Sequence, residues 1–418
     1  MTQDSAPPPD SMPGAFLDAR GAAELLGVRR ETLYAYVSRG LVRSEAVPGT
    51  RHRRYHRGDL EKLARRQRGR RGDGETALSG NALYFGEPVL ETALTRIEDG
   101  RLYYRGHEAV ELARSWRFEE VAAELWSAGG RERAETLFAV ERTDADRLPG
   151  TIQDLVNTLG DLNPVDTAQI VFPRLAVDDL AAWDTRPEAM LKTGARVLRW
   201  LTLLAAGSER WHGSTVETLA QGWRQDSPEA RELLSAALIL SLDHELNVSA
   251  FTARCVASAG STLYAAVAAA LGALQGTRHG GHSRRVEALL RESGDPAGVR
   301  RTIADRLRRG EAIPGFGQVL YPHGDPRAIE LLRRVEEGWP DSRAAAEGRA
   351  LREAGWELLG EHPTLDVGLV VTAHVLDLPA DAPLTLFALG RSAGWIAQAL
   401  EQSAEGRLIR PRARYVGP

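Results

Sequence analysis

Cysteine is nearly missing. The chain has one in 418 residues, Cys255, so no disulfide can close within it. That usage fits a reducing compartment, and the expectation is a cytoplasmic protein. One cysteine also excludes a zinc site built from thiolates. Long apolar runs are missing as well. The longest weakly polar stretch, Thr262 to Leu274 (TLYAAVAAALGAL), falls short of the roughly 20 residues that a bilayer span needs. It reads as a buried helix, and no membrane partner is expected. The N-terminus, MTQDSAPPPDSMPG, has neither a basic segment nor an apolar one, which argues against a secretory signal. No phosphate-cradling Walker loop occurs, and no glycine-rich dinucleotide turn follows a strand.

What is present is ordinary in bulk and uneven in charge. Apolar residues make up 43% and charged residues 26%, as in a globular protein with room for two or three domains. The net charge of −4 hides a division: residues 16–71 carry a balance of +9 and residues 72–418 a balance of −11. A small basic module precedes a larger acidic body, and a basic module raises the expectation of a nucleic-acid partner.

Residues 1–15, rich in Pro, Ser and Asp, read as a disordered tail. Asp18 then stands as an N-cap before ARGAAELLG. Arg29 to Arg39 (RRETLYAYVSR) makes a second helix, with Leu33, Tyr36 and Val37 at helical spacing. VPGTRHRRY reads as a turn into a short basic strand, and Asp59 opens a third helix. Helix, turn, helix and basic ribbon over 16–68 form a winged helix-turn-helix arrangement. It resembles the MerR or excisionase type of DNA-binding module. Arg29, Arg30 and Thr32 would meet base edges, and Arg51, Arg53 and Arg54 would meet phosphates from the wing. A solvated basic cap or a docking module is the alternative. Residues 69–80 read as a flexible linker.

Beyond the linker the pattern is helical. EEVAAELWSAG (119–129), ETLAQGWRQ (217–225) and ARELLSAALILSLDHEL (230–246) place apolar residues every three or four positions, so the expected class is mainly α. Four polar clusters interrupt it. In SLDHELNVSAFTAR (241–254), Asp243, His244 and Asn247 are too polar for a core unless paired. In QGTRHGGHSRRV (275–286), His279 precedes two glycines that allow close backbone approach. IPGFGQVLYPHGDPR (313–327) is too rich in Pro and Gly for a helix. In HPTLDVGLVV, Asp366 opens an apolar helix. Taken singly, each His or Asp is more often a cap or a surface residue, and their spacing matches no metal motif.

Taken in order, these clusters resemble the citrate synthase family: LDHELN, HGGH, PGFG with DPRA, TLDVG, then GRSAGWIAQALEQ and RLIRPRARYVG. RLYYRGHEAVELA (101–113) fits as well, so the resemblance spans about 81–418. It implies a mainly helical homodimer with a large domain and a small one, the latter at about 282–380. It implies condensation of acetyl-CoA, or another short acyl-CoA, with oxaloacetate or a related 2-oxoacid, with no cofactor beyond the CoA substrate and no metal. Asp366 would take a methyl proton while His279 donates to the thioester oxygen. Arg327, Arg391 and Arg410 would bind the carboxylates, the last from the partner subunit. The backbone of Pro314, Gly315, Phe316 and Gly317 would wrap the CoA adenine. Three family histidines are replaced, by Gln318 in the loop, by Ser241 at an oxaloacetate-binding position and by Gln398. A glutamine amide donates a hydrogen bond but transfers no proton at neutral pH, and His323 is a candidate substitute acid. The alternative is a DNA-binding regulator whose altered synthase domain senses acyl-CoA or an organic acid.

Overall fold

The computed structural model describes residues 16–26, 33, 37, 42–47, 53–57, 59–60, 90–139 and 147–417. The chain divides into two compact units, Met1–Glu91 and Thr92–Pro418. The tail at 1–15 and the linker at 69–80 lie outside the described residues.

In the first unit, β1 (Phe16–Leu17), β2 (Ser44–Ala46) and β3 (Arg53–His56) make an antiparallel ribbon in the order β1-β3-β2. Helix α1 (Ala19–Leu26) starts where sequence placed its cap, the Asp18 carboxylate accepting from Gly21 N at 2.7 Å. Ala22, Leu26, Leu33, Val42, Tyr55 and Leu60 close a small core of their own. Asp59, at the start of the expected third helix, accepts from Arg43 N at 3.1 Å and Nε at 2.8 Å. These bonds hold its pKa down at about 2.

The second unit opens with a meander of β4 (Thr95–Glu98), β5 (Arg101–Tyr104) and β6 (His107–Glu108). Asp99 and Gly100 turn the first hairpin, both at positive φ (51° and 73°), as a two-residue turn matching the sheet twist requires. Short helices follow: α2 (Ala109–Ser115), α3 (Phe118–Trp126), α4 (Ala134–Phe138) and α5 (Gly150–Leu159). The main body then contains α6 (Pro164–Asp178), α7 (Pro187–Ala206), α8 (Thr215–Gly222), α9 (Pro228–Ser241), α10 (Val248–Ser258) and α11 (Leu263–Leu274). A group of five comes next: α12 (His282–Ser293), α13 (Val299–Arg308), α14 (Pro326–Gly338), α15 (Arg343–Leu359) and α16 (Leu365–Val375). The last helix, α17 (Ala382–Glu405), buries nearly its whole length against α7, α9, α10 and α11. A helix covered on all sides reads as apolar throughout rather than striped, and α17 has Trp395, Leu389 and Ile396 at zero exposure.

One sequence expectation is corrected. The apolar pattern suggested a helix running on through 230–246, but α9 ends at Ser241 and a loop spans 242–247. Asn247 caps α10, its side chain accepting from Ala250 N at 3.2 Å, and Glu245 sits at φ 52°. A cap and a left-handed residue cannot lie inside a helix, so periodicity loses to local hydrogen bonding.

Candidate active site

Two buried arginines set the charge of the site. Arg327 is the second residue of α14, capped by Asp325. That carboxylate accepts from Arg327 N at 3.1 Å, Nε at 2.8 Å and Nη2 at 2.7 Å, and from Leu365 N at 3.1 Å. Burial alone would lower the pKa of Arg327, but Asp325 reverses this and holds it above the ordinary value. Arg391 lies midway along α17 at 1% exposure, donating from Nε to the Ser241 carbonyl at 2.6 Å. Its pKa is pushed down to about 10, by burial first, with the charge of Arg327 adding repulsion. Asp325 is ion-paired with Arg327, whereas Arg391 feels Asp243 only through space and makes no ion pair among the described residues, which leaves it open to an anionic ligand.

His244 lies within the field of both arginines. Burial, then Arg327 and Arg391, keep it well below its usual pKa, so the imidazole is neutral. Its Nε2 is 3.0 Å from the Tyr321 hydroxyl, and the two rings meet edge to face at 5.6 Å. Tyr321 is 3% exposed, and the Arg327 guanidinium stands 5.3 Å from its ring centroid. Burial raises the phenol pKa, so it stays protonated. Sequence reasoning marked His244 as needing a partner but gave it no role in the site. Tyr321 carried no signal, because its partner lies 77 positions away.

His279 occupies the tight turn before α12. A Cβ at Gly280 would come within 2.7 Å of the Leu274 carbonyl, so only glycine fits there. Its Nε2 is 2.8 Å from Ser249 Oγ, which also accepts from Trp395 Nε1 at 3.0 Å. Burial first, then Arg391 and His282, lower its pKa to about 4. The imidazole is therefore neutral; Ser249 Oγ is also placed to donate to Asn247 Oδ1 at 2.7 Å, and in the tautomer in which its one proton goes to His279 Nε2 instead, Nδ1–H is the outward donor. Phe387 touches both His279, at 5.9 Å between ring centroids, and Arg391, at 4.8 Å.

Asp366 is the second residue of α16, whose N-cap position is Thr364. Oδ1 is buried with no hydrogen-bond partner, and Oδ2 is 3.5 Å from Thr364 Oγ1. Burial outweighs the attraction of Arg327 and raises its pKa to about 6. A carboxylate with a free oxygen and a pKa near neutrality is suited to act as a general base.

The loop at 313–325 is tied to the segment preceding α16. Phe316 bridges Pro363, Gly317 N donates to the His362 carbonyl at 3.2 Å, and Thr364 N to the Gly315 carbonyl at 2.9 Å. Pro314 and Gly315 are buried; a Cβ on Gly315, at φ 88°, would meet Val367 at 2.7 Å and Val286 at 2.8 Å. Phe316 packs on Gly355. Gln318 is half-buried, and its amide has no hydrogen-bond partner among the described residues. A turn bond from Tyr321 N to the Gln318 carbonyl, 2.9 Å, buries the tyrosine, whereas His323 is exposed.

The other two replaced positions lie behind this cluster. Ser241 has no exposed surface; its carbonyl serves Arg391 while its hydroxyl has no partner. Gln398 joins a buried seam, donating to Asp243 Oδ2 at 3.2 Å and accepting from Arg254 Nη1 at 3.4 Å. Arg254, fully buried, pairs with Glu401 and Glu405, both at 2.7 Å. Arg410 is exposed on the extended tail beyond α17, where Ile409 N donates to Ser258 Oγ at 3.1 Å. The structure thus gathers Arg327, Arg391, His279 and Asp366, adds His244 and Tyr321, and leaves Arg410 outside.

In the first unit, Arg53 and Arg54 are exposed on β3. Arg53 Nε donates to Ser44 Oγ at 3.1 Å, and Arg54 pairs with Glu45 and lies 4.9 Å from the Phe16 ring centroid. Arg29, Arg30, Thr32 and Arg51 lie outside the described residues. Among the described residues, no group of three His, Cys, Asp or Glu side chains is placed to hold a metal ion. No described helix is long and apolar enough to cross a membrane.

Known proteins match both parts of the chain. The sequence model of the family described as "Citrate synthase, C-terminal domain" matches residues 83–412, and that of "Helix-turn-helix domain" matches residues 16–68. A citrate synthase of Haloferax volcanii is 31% identical over 359 residues, covering 79% of this chain and 93% of the relative. A 2-methylcitrate synthase of Mycobacterium tuberculosis is 29% identical, covering 79% and 89%. The crystal structure of citrate synthase from Thermotoga maritima superposes with a TM-score of 0.68 at 30% identity, covering 80% of this chain and 94% of that one. With a mainly helical body, the four motif residues gathered at one place and a family match across that body, this chain belongs to the citrate synthase family.

Proposed function

We propose that residues 92–418 condense a short acyl-CoA, acetyl-CoA first among them, with oxaloacetate or a close 2-oxoacid, and then hydrolyse the thioester to release CoA. The observation that carries this is Asp366: a buried carboxylate with an unpartnered oxygen, at the start of α16 and within the field of Arg327. Arg327 and Arg391 supply the positive charge for a dicarboxylate. Neutral His279 supplies a donor for the thioester oxygen, so that the developing enolate is stabilised as the proton leaves. Residues 314–317 offer a stiff edge for the adenine. The helices of 282–380 form the small domain, and a homodimer brings Arg410 of one chain to the site of the other. The test is CoA-thiol release from acetyl-CoA and propionyl-CoA against a panel of 2-oxoacids. Release that depends on one oxoacid supports the reading, and no release with any pair sinks it.

The match of residues 16–68 to the helix-turn-helix family favours a second role beside the first, DNA binding by the basic unit. It stands beside condensation, because the residues proposed for catalysis lie in the body and not in the basic unit.

A further inference from the structure

Condensation turns the carbonyl oxygen of the 2-oxoacid into an alkoxide that needs a proton. Gln318 has none to give, and His323 faces solvent. The structure assigns this task to Tyr321, oriented by His244. The assignment rests on the condensation proposed above and names a catalytic residue for it.

Three observations converge on the phenol. It is buried at 3% exposure, whereas its neighbours Pro322 and His323 are exposed. Its hydroxyl is 3.0 Å from His244 Nε2. Its ring lies against the Arg327 guanidinium, so the hydroxyl is carried on the same cluster that would hold the oxoacid carboxylates. His244 is neutral and can donate from Nε2 to the phenol oxygen, which frees the phenol proton to point at the ligand. A donor that is itself accepting a hydrogen bond is strengthened by it.

The step balances as follows. The enolate carbon, left when Asp366 takes the methyl proton, bonds to the oxoacid carbonyl carbon. The carbonyl π pair moves onto oxygen, and that oxygen takes the Tyr321 proton. An alkoxide is a stronger base than a phenolate, so the transfer is downhill. The phenolate lies beside Arg327 and is reprotonated through His244, while the proton on Asp366 leaves to solvent.

The experiment uses the full chain with Tyr321→Phe and Gln318→Ala, read in two ways. Infrared spectra of bound oxaloacetate, labelled at its carbonyl, report hydrogen bonding to that oxygen without requiring turnover. Steady-state CoA release reports chemistry. In the parent the carbonyl band should lie below its position in free solution. Tyr321→Phe should return the band towards the free position and lower kcat about 100- to 1000-fold, with KM for oxaloacetate changed less than about threefold. Gln318→Ala should keep the band low and cost less than about tenfold in kcat. An unchanged band in Tyr321→Phe overturns the assignment, whether or not kcat falls, since a fall alone marks a packing role. A band lost in Gln318→Ala and kept in Tyr321→Phe overturns it in favour of the amide. A parent that binds no 2-oxoacid, seen as no band and no thermal shift, overturns the condensation and this assignment with it.

Discussion

Asp366 has a cost and a use in the same atom. Its Oδ1 is buried without a partner, and burial raises its pKa to about 6. The base works only when ionised, so kcat/KM should climb with pH around about 6 and fall away below it. Asp366→Asn should remove at least about 1000-fold of the activity. Stabilisation by oxaloacetate in a thermal melt should survive the change, since the arginines remain; an active Asp366→Asn chain would show that another group is the base. Four of the residues at this site were legible in the sequence. Asp366, His279, Arg327 and Arg391 each stand inside a short motif that survives in one dimension. His244 was legible only as a polar residue needing a partner. Tyr321 was not legible, because a buried phenol means little until the ring it faces is known. Periodicity also carried α9 past Ser241, since the apolar spacing continues where the backbone has already turned.

Helix α16 is held at both ends. Asp325 accepts from its first amide, and near its other end His374 lies between two carboxylates. His374 Nδ1 is 2.6 Å from Glu347 on α15, and Nε2 is 2.8 Å from Glu287 on α12. Those bonds raise its pKa to about 9. Arg343 also pairs with Glu347, and Arg291 lies within range of Glu287. The imidazolium therefore ties the helix bearing Asp366 to the helix that follows His279. Because the folded pKa exceeds the unfolded one, the stabilisation is complete below about pH 6.5 and is lost as pH rises through about 9. With 28% of the side chain exposed, about 2 kcal/mol is a reasonable size. Denaturant melts of the parent and of His374→Gln should differ by that amount at pH 6 and converge above about pH 9. A difference that persists at pH 10 would rule out the charge as its source. None of this was legible beforehand: the clamp joins residues 27 and 87 positions apart.

At the scale of the molecule, a basic unit and an acidic body share one chain. If the basic unit binds DNA, affinity should drop steeply with salt, because each phosphate contact releases counterions. Changing Arg53 and Arg54 together to Ala should weaken binding to every sequence alike and flatten the salt slope by about two. Anisotropy titrations of the full chain at several salt concentrations test this; a slope unchanged by the double substitution would leave the wing without phosphate contacts. The division into a module and a helical body was legible from charge and motif order. Fifteen breaker-rich residues marked the loop beside the candidate site, but not which of its side chains turns inward. The tail beyond α17 has a further consequence. Arg410 sits exposed on it, outside the cluster of its own chain, and in the homodimer proposed above it would reach the neighbour's site. Two dead proteins could then cure each other. An Asp366→Asn chain and an Arg410→Ala chain, unfolded and refolded as an equal mixture, should pair at random. Half of the pairs would be mixed, and each mixed pair would hold one site with both defects and one with neither. About a quarter of the parent activity should return, from components that have none apart.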